Sequence, residues 1–171
     1  MTSNDPEAAD GVTRKDIDAV ARQISSGPLG LAYHQPYPGA RFGQCFENAA
    51  QCVTKEGGQV LYGWTFHLRR AEKLPGLPHY IYATHHAVWH APPDGRLVDV
   101  TPYPEEKHRP IQPSDSTLFL VDSSAQPIRT EHQIAPLPLK FFAVGDHPAL
   151  VEYIEKLNRE EQERCASLSR K

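Results

Sequence analysis

The 171-residue chain has no long apolar run, no surplus of positive charge and few cysteines, and each shortage removes a class of function. No segment approaches the roughly 18–20 apolar residues that span a bilayer, so a membrane-embedded protein is not expected. The opening MTSNDPEAADG is polar and acidic, unlike the charged-then-apolar layout of a secretory signal. Lys and Arg number 18 against 21 Asp and Glu, for a net charge of −3. Without a basic tail or stripe, a nucleic-acid partner is not expected either. The one compact basic group, Arg69, Arg70 and Lys73, is broken by Glu72 and reads as solvated loop. Cys45, Cys52 and Cys165 are too few and too scattered for a disulfide framework. That points to a reducing, cytoplasmic setting. CxxC, HExxH and internal repeats are also missing.

What remains is the composition of a single compact domain, with 39% hydrophobic and 23% charged residues, and the order of its elements reads as α+β, helices packed on an antiparallel sheet. Residues 1–12 read as a disordered tail and 13–160 as one catalytic domain. Residues 161–171 read as an exposed helix end. Thr13 and Asp16 form a capping-box-like start to a helix carrying Ile17, Val20, Ala21 and Ile24 on one face. The proline- and glycine-rich stretch 28–43 reads as irregular surface chain. Just after Cys45 a helical pattern runs from Phe46 to Lys55, with Phe46, Ala49, Ala50 and Val53 on one face, and Gly57-Gly58 closes it. Val60–Leu68 alternates like a strand, Tyr80–His90 forms a second, and Asp94-Gly95 turns it into a third at Arg96–Val100. Short strands follow at Thr117–Asp122 and Leu139–Val144. A last helix starts near Asp146-Pro148, its apolar stripe fading after Leu157. Glu152/Lys156, Glu155/Arg159 and Glu160/Arg164 are spaced as ion pairs along it.

Three residues stand out chemically. Cys45 follows a glycine-containing loop at a helix start, where unpaired backbone N–H groups and the helix dipole favour an anion. Thiolate is the nucleophilic form of cysteine. The doublet His85-His86 lies in the second strand, where a histidine beside the cysteine helix can take up and return a proton. Asp99, thirteen residues beyond His86 and across the Asp94-Gly95 turn, falls where adjacent antiparallel strands bring residues side by side. A carboxylate there can fix the imidazole's tautomer and stabilise its charged form.

The elements Gly43-Gln44-Cys45-Phe46 with Ala49 and Ala50, then Val60-Leu61-Tyr62-Gly63-Trp64, His86-Ala87, Asp94-Gly95 and Val98-Asp99-Val100-Thr101-Pro102 occur in that order. This order resembles the transglutaminase-like branch of the papain-like superfamily, over roughly residues 41–104. The resemblance implies a Cys45-His86-Asp99 triad and acyl transfer without a metal or other cofactor. The substrate class would be a peptide, protein or small amide. Many members carry Trp two residues after the histidine, where this chain has Val88 and places Trp89 one further on. His85 and His86 both stay open as the base, the His-Ala match favouring His86. Gln44 and Asn48 are candidate oxyanion or substrate contacts, and so are His85 and Trp64. Core packing competes for Trp64 and for Cys52. Two other readings compete: a metal site drawn from His85, His86, His90 and Cys45, and a binding module that keeps the fold without activity.

Overall fold

The computed structural model describes residues 12–72, 74, 76–111, 115–131 and 133–168. The expected tail lies outside these except for Val12, which is buried and joins the core. Three α-helices and eight strands are present among the described residues. They are α1 (Arg14–Ile24), β1 (Leu29–His34), α2 (Cys45–Glu56), β2 (Gln59–Arg69), β3 (Tyr80–Ala91), β4 (Arg96–Asp99), β5 (Ser116–Val121), β6 (Ile128–Arg129), β7 (Ile134–Ala135), β8 (Lys140–Ala143) and α3 (Pro148–Leu168). The mixed α+β class stands as the sequence predicts.

The main sheet runs β2-β5-β1-β4-β3-β8, and β2 also pairs with β3, so five strands close on themselves with β8 added at the side. The closure depends on Gly63. A Cβ there would sit 1.9 Å from the Leu120 carbonyl oxygen and 2.9 Å from the Phe119 ring, so no side chain fits where β2 meets β5. β2 and β3 pair along their whole length, placing Gly63 opposite His86, Thr65 opposite Thr84 and His67 opposite Tyr82. The other edge of β3 is divided. Tyr80–Ala83 pair with β8 and Trp89–Ala91 with β4, and the stretch between them carries His85 and His86.

Stretch 28–43 is the clearest correction. Leu29–His34 is a strand inside the closed sheet, antiparallel to β5 but parallel to β4, so the sheet is mixed and not the expected antiparallel one. Proline and glycine around it suggest loop, and the strand is short, with Ala32 its one buried residue. Non-local pairing to two neighbours outweighs that weak local signal.

α1 starts with the expected capping box and packs Ile17, Val20 and Ala21 against Trp64, Phe66, Ile81 and Leu120. On α2 the buried stripe is Cys45, Phe46, Ala49 and Cys52, set against Ala87, Ala91, Val98 and Val100. Ala50, expected on that face, is exposed. α3 covers β8. Asn158 accepts from the Phe141 N–H at 3.0 Å and donates to its carbonyl at 2.9 Å, and the Glu161 carboxylate accepts from the Leu139 N–H at 3.0 Å. The helix end is therefore not simply exposed beyond residue 160: Glu161 is buried and pairs with Arg164 at 2.7 Å. Arg164 was expected to pair with Glu160, which instead meets Lys156 at 3.7 Å. No helix among the described residues is long and apolar enough to cross a membrane.

Candidate active site

α2, β3 and β4 deliver the three expected residues to one place. Cys45 is the first residue of α2, and Gly43, at φ +75, lets the preceding loop turn sharply into it. The helix enters with Gln44 as an exposed cap that makes no side-chain hydrogen bond. β3 and β4 pair through Trp89–Val98, leaving Asp99 one step past the ladder and facing His86. His86 Nε2–H donates to Asp99 Oδ1 at 2.9 Å. The Cys45 thiol lies within hydrogen-bonding reach of the same imidazole. With Nε2 committed to Asp99, Nδ1 is the nitrogen left for the thiol.

Asp99 is fully buried, and both carboxylate oxygens are saturated. Oδ1 takes His86 and the Thr101 N–H at 3.2 Å. Oδ2 takes the Tyr103 hydroxyl at 2.7 Å and the Thr117 hydroxyl at 2.9 Å. Burial opposes ionising Asp99, but the facing His86 and these donors outweigh it and hold its carboxyl below the usual range. Burial likewise disfavours charging His86. The Asp99 carboxylate, then Cys45, reverse this and raise the imidazole to about 10. Tyr103 is pushed far up by burial and by its anionic partner, so it stays a donor. Tyr103 and Thr117 were not singled out in the sequence. Tyr103 sits four residues past Asp99 in a proline-rich loop, and Thr117 comes from β5, so neither shares a spacing pattern with the triad.

The remaining candidates bond to other groups, although His85 also lines the cleft. His85 Nε2–H donates to the Ala125 carbonyl at 2.8 Å, and its Nδ1 accepts the Leu137 N–H at 2.9 Å. Both nitrogens are occupied, and burial pulls its pKa down. His85 therefore ties loops to β3, and the doublet resolves in favour of His86 as the residue facing Asp99. Asn48 clamps the loop ahead of Cys45, donating to the Arg41 carbonyl at 2.8 Å and accepting the Arg41 N–H at 3.0 Å. That local bonding occupies both ends of its amide. Trp64 is in the core, its indole N–H on Asp122 at 3.0 Å. Cys52 is fully buried, its thiol pushed up to about 11 by burial first and Glu56 second. The proposed metal ligands do not assemble: among the described residues no three His, Cys, Asp or Glu side chains gather as a metal site.

Cys45, His86 and Tyr103 open on a cleft of about 310 Å³ whose floor continues along Thr65, Thr84, His67 and Tyr82. Comparison with known proteins returns no matching family model, curated protein or solved structure.

Proposed function

We propose that the chain is a cysteine-dependent hydrolase or acyl transferase, acting on a peptide, protein or small amide through a Cys45 thioester. The supporting observation is the run from cleft to core: a helix-terminal thiol, an imidazole in contact with it, and a fully buried carboxylate holding the imidazole's far nitrogen at 2.9 Å. A papain-like or transglutaminase-like relationship accounts for that arrangement. A cytoplasmic setting suits a free thiol of this kind.

The chemistry follows from the geometry. The Cys45 thiolate attacks the carbonyl carbon, forming a C–S bond while charge moves to the carbonyl oxygen. The Cys45 N–H, one of the donors a helix start leaves unbonded, is placed to receive that charge. The His86 imidazolium gives its proton to the leaving amine as the C–N bond breaks. Neutral His86 then takes a proton from water or an incoming amine, which attacks the thioester and releases Cys45. Asp99 keeps the imidazole in one orientation through both half-reactions.

Alkylation with iodoacetamide at neutral pH, followed residue by residue by mass spectrometry, tests this. Cys45 should react about tenfold or more faster than partly exposed Cys165. His86→Ala should remove the difference. Equal rates for the two thiols in the intact protein would refute an activated nucleophile.

A further inference from the structure

The cleft floor has an order of its own beyond the triad. Moving from His86 along the β2–β3 ladder, the next facing pair is Thr65 and Thr84, their hydroxyls 2.7 Å apart. Thr84 also meets His67 Nε2 at 3.1 Å. These groups satisfy one another and leave a neutral, hydrogen-bonding middle. The next pair is His67 and Tyr82, stacked with ring centroids 4.7 Å apart at 17°. Burial first, and His86 second, pull the His67 pKa down to about 3, so the ring is neutral at physiological pH. Its Nδ1 meets no partner in good hydrogen-bond geometry, and the Arg109 backbone only partly offsets that fall.

The strip ends in a cation. The Arg69 guanidinium lies 5.2 Å from the centre of the Tyr82 ring and lines the cleft while remaining exposed to solvent. No carboxylate pairs with it among the described residues. The other cation on the cleft wall, Lys107, is held by Glu105 at 2.8 Å. Tyr82 is four strand residues from His86, about 13 Å at the rise of a β-strand. An extended peptide covers that length in about four residues.

We infer that Arg69, seated on Tyr82, is an anion subsite that selects extended peptide-like substrates with a carboxylate about 13 Å along the cleft from the level of His86. This rests on the acyl-transfer reading for its biological use, but the binding itself needs no thiol. The neutral strip between passes a chain without charge preference, and guanidinium geometry suits a carboxylate. The carboxylate can come from an acidic side chain or a free chain terminus.

Calorimetry on Cys45→Ala protein at low salt tests this with two peptide pairs. One is acetyl-Glu-Ala-Ala-Gly-amide against its Gln counterpart. The other is acetyl-Gly-Ala-Ala-Ala as free acid against its amide. At least one acidic peptide should bind about five- to tenfold tighter than its neutral partner, and which pair shows it identifies the source of the carboxylate. Arg69→Gln should erase the preference, Arg69→Lys should keep part of it, and Lys107→Gln should leave it intact. Equal binding within both pairs, a preference that survives Arg69→Gln, or no binding by any peptide overturns the inference. Failure of Cys45 to label would instead strike the acyl-transfer reading, because this assay contains no Cys45 thiol.

Discussion

Replacing Asp99 by Asn should reverse the direction in which stability depends on pH. The amide fits the site. Its oxygen can keep the His86 and Thr101 donors, and its NH2 can face Tyr103 and Thr117, whose hydroxyls rotate to accept. Shape is retained and only the charge goes. A Cys45→Ala background keeps thiol titration out of the measurement. With Asp99 present, the folded His86 pKa lies above its ordinary 6.5. Its stabilising contribution is then complete below pH 6.5 and is lost as pH rises through the folded value. The gap from 6.5 to about 10 in the intact site caps the effect at about 5 kcal/mol. Removing Cys45, which also raises His86, leaves a smaller effect. With Asn at position 99, burial acts alone and the folded pKa falls below 6.5. Stability should then be flat at high pH and fall as pH drops below 6.5. Urea unfolding from pH 5 to 9.5 reads this directly, with Cys45→Ala and Cys45→Ala/Asp99→Asn compared at each pH. Parallel stability curves for the two proteins would refute the claim that Asp99 determines the charge of His86.

Other outcomes follow from the same geometry. Tyr103→Phe removes a hydrogen bond to a buried carboxylate and should cost about 1.5–3 kcal/mol. Asp99 contributes stability above its ordinary 3.8 that is lost as pH falls through its lower folded value, so thermal melts should show this acid-side loss moving to higher pH in the variant. His85→Leu strands the Ala125 carbonyl and the Leu137 N–H and should cost about 2–4 kcal/mol in urea unfolding, while Cys45 alkylation in the folded protein stays near the wild-type rate. Gly63→Ala should cost about 3 kcal/mol or more. Gly30→Ala, where an added methyl meets nothing within 4 Å, should stay within about 1 kcal/mol of wild type in the same melts.

The sequence disclosed those parts of the molecule that rest on local signals. Thr13 and Asp16 mark the start of α1 because a cap is satisfied by neighbours in the chain. β2 is legible because Val60, Tyr62, Trp64, Phe66 and Leu68 recur at every second position, and Asp94-Gly95 joins β3 to β4 by turn chemistry. The order Cys45, His86, Asp99 was readable for the same reason, since Cys45 opens α2, His86 lies within β3 and Asp99 ends β4, all legible elements. What stayed hidden depends on distant pairing. β1 draws its identity from β4 and β5. The choice between His85 and His86 rests on Ala125 and Leu137, forty and fifty-two residues beyond His85. The Asp99 cage needs Thr117, eighteen residues on. Nothing near Arg69 in the chain announces that Tyr82 will lie beneath it.

The clasp between α3 and β8 bears on how the protein behaves when crowded with copies of itself. β8 ends the main sheet, and an uncovered rim of backbone donors and acceptors invites another chain to dock as an extra strand. Asn158 occupies both outward groups of Phe141, and Glu161 occupies the Leu139 N–H just before the strand. The last helix thus works as a selvage, finishing the fabric of the sheet so that it neither frays nor takes up another thread. A chain cut short before Asn158 would lose that finish and should aggregate at concentrations the intact protein tolerates.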